Sequence, residues 1–250
     1  LFGTMNMPKE AFLAGLYQSD GTQTNDRIML DIWEHDFDLI EEVEEAVDYV
    51  YNVHGLNEYE VSNQFGPTGK TRARTTPRFR DCVVCQSDVK KKRLGSSVLK
   101  EALSVSKGSV PSWVWKSDKE TQWAYIRGLL YADGTVTVSQ SAGNPVQIAY
   151  ADVDRDFLQE LQLLFNNLGL GSQIRLLRKA GTRMLPDGKG GMKAYETRDC
   201  YRLIIGNKPA ALKIEKNTGF LSRKGAEVED RTYRDNTKKA YAVESIEYVG

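Results

Sequence analysis

Asp20 and Asp133 each close a helix-like segment and stand directly before a glycine, in LAGLYQSDG (Leu13 to Gly21) and IRGLLYADG (Ile126 to Gly134). A carboxylate at the C-terminal end of a helix meets the negative end of the dipole and is disfavoured by about 0.3–1 kcal/mol. If the two helices converge, the acids also repel one another. A bound divalent cation relieves both conflicts. Hard carboxylate oxygens with no His or Cys beside them suit Mg²⁺, which keeps waters and accepts phosphate oxygens. The plainer alternative makes both acids ordinary turn residues, but their matched register argues for a shared purpose.

The segments that carry these acids have a second peculiarity. Glycine inside a helix costs about 1 kcal/mol relative to alanine, so Gly15 and Gly128 call for a packing reason. Ala11, Gly15 and Ser19 recur every fourth residue, as do Ala124, Gly128 and Ala132. Two such ridges of small residues let helix backbones approach closely. Phe12, Leu13, Leu16, Leu129 and Leu130 remain to face their own half-domains. Gly21 and Gly134 suit a left-handed cap after each helix.

The chain reads as one unit written twice, about 115 residues apart. After each acid comes a strand and then a helix: RIMLDIWEHDFDLIEEVEEAVDYV answers VQIAYADVDRDFLQELQLLF. Arg80-Asp81-Cys82 then answers Arg198-Asp199-Cys200, and Ser106-Lys107-Gly108 answers Ser222-Arg223-Lys224-Gly225. TVTVSQ and VQIAYA alternate as half-buried strands, separated by Ser141, Gly143, Asn144 and Pro145. From Asp152 to Leu168, Phe157, Leu161, Leu164 and Leu168 fall at helical spacing, with Gly169 as the stop. The unit is therefore helix, hairpin, helix, hairpin, terminal helix and loop, an α+β pattern. We divide the chain into residues 1–112 and 113–250, two pseudo-symmetric halves whose first helices meet at the axis.

Formal net charge is zero, but charge is segregated. No Lys or Arg lies between Arg27 and Lys70, where Asp31, Glu34, Asp36, Asp38, Glu41, Glu42, Glu44, Glu45 and Asp48 crowd a helical stretch. Lys70, Arg72, Arg74, Arg78 and Arg80, then Lys90 to Arg93, reverse the sign and form a basic patch. Cys82 and Cys85 form a CxxC without a second pair or clustered histidines, so free thiols are the default over zinc. Three cysteines do not make a disulfide framework. No apolar run reaches the roughly 20 residues of a membrane span, and no signal peptide opens the chain. A protein of the cytoplasm, or of the compartment holding its DNA, is expected. His35 and His54 read as surface residues flanking the acidic helix.

Together, the paired LAGLYQSDG and IRGLLYADG segments, the repeated order of elements and the VPSWVW lead-in resemble the LAGLIDADG homing endonucleases, among them those carried in inteins. The resemblance spans nearly the whole chain. It departs at Gln18-Ser19, where the family often has Asp-Ala, and at Ile126-Arg127; neither touches the acids. It implies two αββαββα half-domains whose hairpins form a β-saddle over double-stranded DNA, the signature helices lying at the central interface. It further implies a monomeric, Mg²⁺-dependent endonuclease, with Mn²⁺ as an alternative, that cuts both strands and leaves short 3′ overhangs. Asp20 and Asp133, with Ser19 and Ala132 beside them, would hold the metal, and Lys107 and Lys224 align with the family's active-site lysines. By strand parity, Gln173, Arg175, Arg198 and Arg202 would face DNA on the buried backing of Ile174, Leu176, Tyr201, Leu203 and Ile205. Arg72, Arg74, Arg78 and Arg80 would be their first-half counterparts, with acidic helix 36–50 turned away. AYAVESIEYVG resembles the return of an intein to its splicing domain, but no splicing nucleophile or terminal His-Asn accompanies it, so splicing is not expected. The rival readings are a non-cleaving member of the same fold, an RNA maturase or transcriptional regulator, and an unrelated α+β enzyme with a fortuitous repeat.

Overall fold

The computed structural model describes residues 2–82, 90–138, 146–187 and 191–226. Helix α1 (Pro8–Asp20) has proline in its first turn, where the missing N–H costs nothing. A short strand β1 (Thr22–Gln23) and β2 (Ile28–Trp33) follow, then a 3₁₀ turn at Glu34–Leu39 and α2 (Ile40–Val53). Hairpin β3 (Glu58–Asn63) and β4 (Gly66–Ala73) stands as its own two-stranded sheet. Strands β5 (Arg80–Asp81) and β6 (Lys91–Ser96) and helix α3 (Ser97–Leu103) complete the first half. A short α4 (Ser112–Trp115) leads into α5 (Lys119–Asp133).

The second half follows the same plan but places its separate hairpin after the fourth sheet strand instead of before it: β7 (Thr135–Val138), β8 (Val146–Asp152), α6 (Arg155–Asn167), β9 (Gln173–Arg178), hairpin β10 (Gly181–Pro186) and β11 (Met192–Thr197), β12 (Cys200–Ile205), α7 (Lys208–Thr218) and α8 (Phe220–Arg223). The two four-stranded antiparallel sheets have matching orders, β1-β2-β6-β5 and β7-β8-β12-β9. Alternation sets their faces: Ile28, Leu30 and Ile32 in one sheet, and Val146, Ile148 and Tyr150 in the other, are buried. Phe157, Leu158, Leu161, Leu164 and Phe165 give α6 its apolar stripe, which packs on β9 and β12.

Four expectations are corrected by the fold. Arg80-Asp81-Cys82 and Arg198-Asp199-Cys200 are not structural counterparts, because Arg80 and Asp81 form β5 whereas Cys200 opens β12. The partner of β12 is β6, since both pair with the second strand of their sheet and both lead to a helix N-capped by a side chain, Ser96 or Asn207. The acidic stretch is not one helix from residue 36: Asp36 has φ −118° and ψ 16°, which breaks the segment into a 3₁₀ turn followed by α2. Likewise α6 begins at Arg155 because Asp154 caps it, and the stop at Gly169 is a genuine left-handed residue, φ 71°. Gly21 and Gly134, by contrast, are extended, with φ −72° and −67°. Their requirement is space, since a Cβ would lie 2.4 Å from the carbonyl of Tyr17 or Leu130, as the chain folds straight back from the helix end.

Cys82 and Cys200 are free thiols; Cys85, residues 141–145 and the segment AYAVESIEYVG lie outside the described residues. None of the helices described is long and apolar enough to cross a membrane.

Candidate active site and nucleic-acid interface

Helices α1 and α5 pack with their backbones in contact. A Cβ on Gly15 would lie 2.2 Å from the carbonyl oxygen of Tyr125 and 3.0 Å from the Cα of Gly128. One on Gly128 would lie 2.2 Å from the carbonyl of Phe12 and 3.0 Å from the Cα of Gly15. The two glycines therefore face each other across the pseudo-dyad, and neither position has room for any side chain. Ala11 is fully buried, Ala124 and Ala132 are half-buried, and the Ser19 hydroxyl bridges to α5 and β8 by hydrogen bonds to Leu129 O (3.2 Å) and the Tyr150 hydroxyl (3.1 Å). The segments before the two helices are also joined: Gly3 N donates to Ser117 O (2.9 Å) and Met7 N to Thr121 Oγ1 (2.8 Å).

This packing brings the helix ends together. Burial pushes the Asp20 carboxyl above its ordinary range; a hydrogen bond from Trp33 pulls the other way, and the charges of Asp36 and Asp31 add to the rise. Burial and then the charge of Asp20 raise Asp133 from 3.8 to about 6, against the pull of Lys107 and Lys224. Two carboxylates raised by burial and by neighbouring acids form a pair that a cation would relieve, so the residues fit a divalent metal. Among the described residues no cluster of three His, Cys, Asp or Glu is assembled. A cation at Asp20 and Asp133 would therefore draw its other ligands from water or substrate.

Lys107 reaches the same place from the loop after α3. Its Nζ donates to the carbonyls of Gln18 (2.7 Å) and Ser19 (2.9 Å) and lies 5.1 Å from the centre of the Tyr17 ring. It thus satisfies carbonyls left open at the end of α1 and opposes the dipole there. Burial lowers its pKa, while the charges of Asp133, Asp20 and Asp152 oppose that shift. Gln18 fastens the same loop through Ser106 O (2.5 Å) and Ser109 O (2.6 Å). Lys224, which follows α8 as its C-cap, is half-buried and acts on Asp133 through its charge. Ser19, expected beside the metal, has its carbonyl engaged by Lys107.

The expected DNA-facing residues divide. Gln173 and Arg175 lie on β9 and Arg202 on β12, all on the sheet face opposite buried Ile148, Leu203 and Ile205. Arg198 is exposed but precedes β12 rather than belonging to it. Arg72 is on the exposed β4, and Arg74 follows it, stacked 5.3 Å from the centre of the Tyr59 ring. Arg80 occupies β5. Arg78 turns to the acidic helix, where it meets Asp48 bidentately (2.9 and 2.8 Å) and Glu44 (3.6 Å). That charge is committed to α2, because the helix that carries the acids flanks the same loop. His54 is not a free surface residue either: its Nε2 pairs with buried Glu10 at 3.0 Å, while His35 is largely exposed beside Asp36. Sequence reasoning gives no site role to Trp33, Asp31 or Arg93, whose places depend on cross-strand register.

Residues 120–216 match the family profile described as a LAGLIDADG-like domain. Over 208 residues the chain is 28% identical to the ribonucleoside-diphosphate reductase NrdEB subunit alpha of Bacillus subtilis, covering 82% of this chain and 18% of that protein. Over 108 residues it is 32% identical to the ribonucleoside-diphosphate reductase large subunit of Invertebrate iridescent virus 6, covering 43% of this chain and 11% of that one. The chain thus spans about a fifth or less of these relatives. Similar solved structures include the homing endonuclease I-DmoI in complex with DNA and Mn, 13% identical with a TM-score of 0.48, covering 85% of this chain and 96% of that one. Another is full-length DUF199/WhiA from Thermatoga maritima, 10% identical with a TM-score of 0.48, covering 90% and 62%.

Proposed function

From a chain whose residues 120–216 form a LAGLIDADG-like domain, we propose a divalent-metal-dependent, site-specific endonuclease that cuts both strands of DNA, one strand per half. One observation carries this reading: Asp20 and Asp133 stand at the ends of two helices in backbone contact, burial raises the pKa of both and the charge of Asp20 raises that of Asp133, within a setting that also holds two lysines. Asp20 and Asp133 would hold Mg²⁺ or Mn²⁺, with Ala132 and Ser19 adjoining. Such a cation, when bound, activates water and stabilises a leaving 3′ oxygen.

The chain's own groups have separable tasks. Trp33 holds the Asp20 carboxylate through its hydrogen bond, and Lys107 places positive charge beside both acids, where charge develops on a phosphate. Lys224 does the same from the second half. The outer faces of the two sheets would carry the duplex, β-ribbons being suited to the major groove. We further place the chain as a monomer acting wherever its target DNA resides, with short 3′ overhangs as product. A segment matching 18% of a reductase chain fits an element carried inside a larger host polypeptide, in keeping with an intein origin.

Selecting cleaved molecules from a randomised duplex library in Mg²⁺ tests the reading and yields the target together. Double-strand cuts at one recovered sequence, abolished by chelation, are expected. Specific binding without cutting in Mg²⁺ or Mn²⁺ would instead favour a regulator or maturase.

A further inference from the structure

The two sheets place an arginine pair at the same position, and among the described residues only one of the pairs has an internal counter-ion. In the first sheet Arg80 on β5 lies directly opposite Arg93 on β6, which lies opposite Asp31 on β2. In the second, Arg175 on β9 lies opposite Arg202 on β12, which lies opposite Ala151 on β8. The strand orders match, so Arg80 corresponds to Arg175, Arg93 to Arg202 and Asp31 to Ala151. Directly opposed residues share a face, and like charges there destabilise a sheet unless something neutralises them.

Asp31 does so in the first half. Arg93 grips it with Nε at 2.6 Å and Nη2 at 2.8 Å, the bidentate fork that guanidinium offers to carboxylate or phosphate alike. Lys91 adds a cation to that sheet, but its Nζ is also committed to Asp31, at 3.0 Å. In the second half alanine stands where the carboxylate would be, and the Arg202 Nε is buried without a hydrogen-bond partner. Arg175 is exposed and donates to Gln173 Oε1 (2.8 Å).

We propose that Arg175 and Arg202 form an open phosphate clamp on the second half, and that Asp31 fills the equivalent clamp of the first half as a built-in phosphate mimic. The inference rests on the DNA-binding reading above and deepens it: the halves hold the DNA backbone unequally, the second being the anchoring half. Phosphate is favoured over a guanine edge because two opposed guanidinium groups place two charges on one ligand, whereas a guanine edge takes one arginine fork.

The test is a reciprocal swap in the full chain, read by fluorescence anisotropy on a mixed-sequence DNA duplex over a range of salt. Ala151→Asp should weaken binding and flatten the log–log salt slope by about 0.9 for each phosphate that is no longer neutralised. Asp31→Asn should do the opposite, strengthening binding and steepening the slope by a similar amount. Should Ala151→Asp fold poorly, Arg175→Gln on the exposed edge strand provides the same reading. A wild-type slope that neither Ala151→Asp nor Arg175→Gln flattens overturns the clamp, and so does an affinity loss confined to one base-pair position, which marks guanine recognition. Absence of any wild-type binding to the duplex at low salt would instead sink the DNA-binding reading on which it rests.

Discussion

At the scale of single residues, Asp133 has the sharpest measurable consequence. Its pKa is raised in the folded protein, from 3.8 to about 6. A raised acid contributes stability that is fully present below its unfolded pKa and lost as pH rises through the folded value. The metal-free protein should therefore lose melting temperature between about pH 4 and 6, and Asp133→Asn should remove much of that decline. In Mg²⁺ at neutral pH the wild type should recover stability and the variant should not; equal metal response in both would exclude Asp133 as a ligand. Under the proposed activity, Asp20→Asn or Asp133→Asn abolishes double-strand cutting and leaves DNA affinity largely intact. Lys107→Met should lower the single-turnover rate more than affinity. Because Lys107 also caps α1, the comparison must include melting temperature, and a rate loss explained wholly by unfolding would remove its catalytic role.

Among the elements, the contact of α1 with α5 depends on two missing side chains. Gly15→Ala and Gly128→Ala each place a Cβ at 2.2 Å from a backbone carbonyl that cannot rotate away. The helices must separate, at a cost of about 1–3 kcal/mol, or several degrees of melting temperature for a domain of this size. An unchanged melting temperature in both variants would contradict the packing. These two glycines are legible from sequence because an interior helix glycine repeated in register is costly without a reason. The cap glycines mislead for a related cause: Gly21 and Gly134 are needed for space and not for a left-handed φ, a difference that sequence alone does not reveal. The matched Arg-Asp-Cys triplets also mislead, since three identical residues outweigh strand pairing that only the folded sheets display.

Across the whole molecule, the halves are joined by charge as well as by packing. Arg223 from α8 reaches Asp36 (2.6 Å) and Asp38 of the first half while stacking over Tyr131, and Arg127 on α5 pairs with Glu42 on α2 (2.6 Å). The Arg223–Asp36 pair is about nine-tenths buried on both sides, where bonds to charged groups contribute about 1.5–3 kcal/mol. Arg223→Ala should destabilise by about that much, and a double-mutant cycle with Asp36→Ala should return a coupling above about 0.5 kcal/mol. Additive losses would mean that the pair does not join the halves. The repeat makes the two-half architecture readable in advance; the acid-rich run looks like a solvated face, and its role as the socket for Arg223 and Arg127 emerges only when distant segments meet. The unequal arginine pairs are equally hidden, because Asp31 and Ala151 become equivalent only through register.

The backbone contact at Gly15 and Gly128 also sets a length. Two helices held apart by side chains drift as those side chains change, but main chain touching main chain gives a separation that mutation elsewhere cannot tune. Asp20 and Asp133 hang from the ends of that fixed gauge. If each addresses one strand, the stagger of the two cuts is a constant of the scaffold, while the recognised sequence varies with the strands. Regrafting the hairpins should then change where the DNA is cut without changing the overhang.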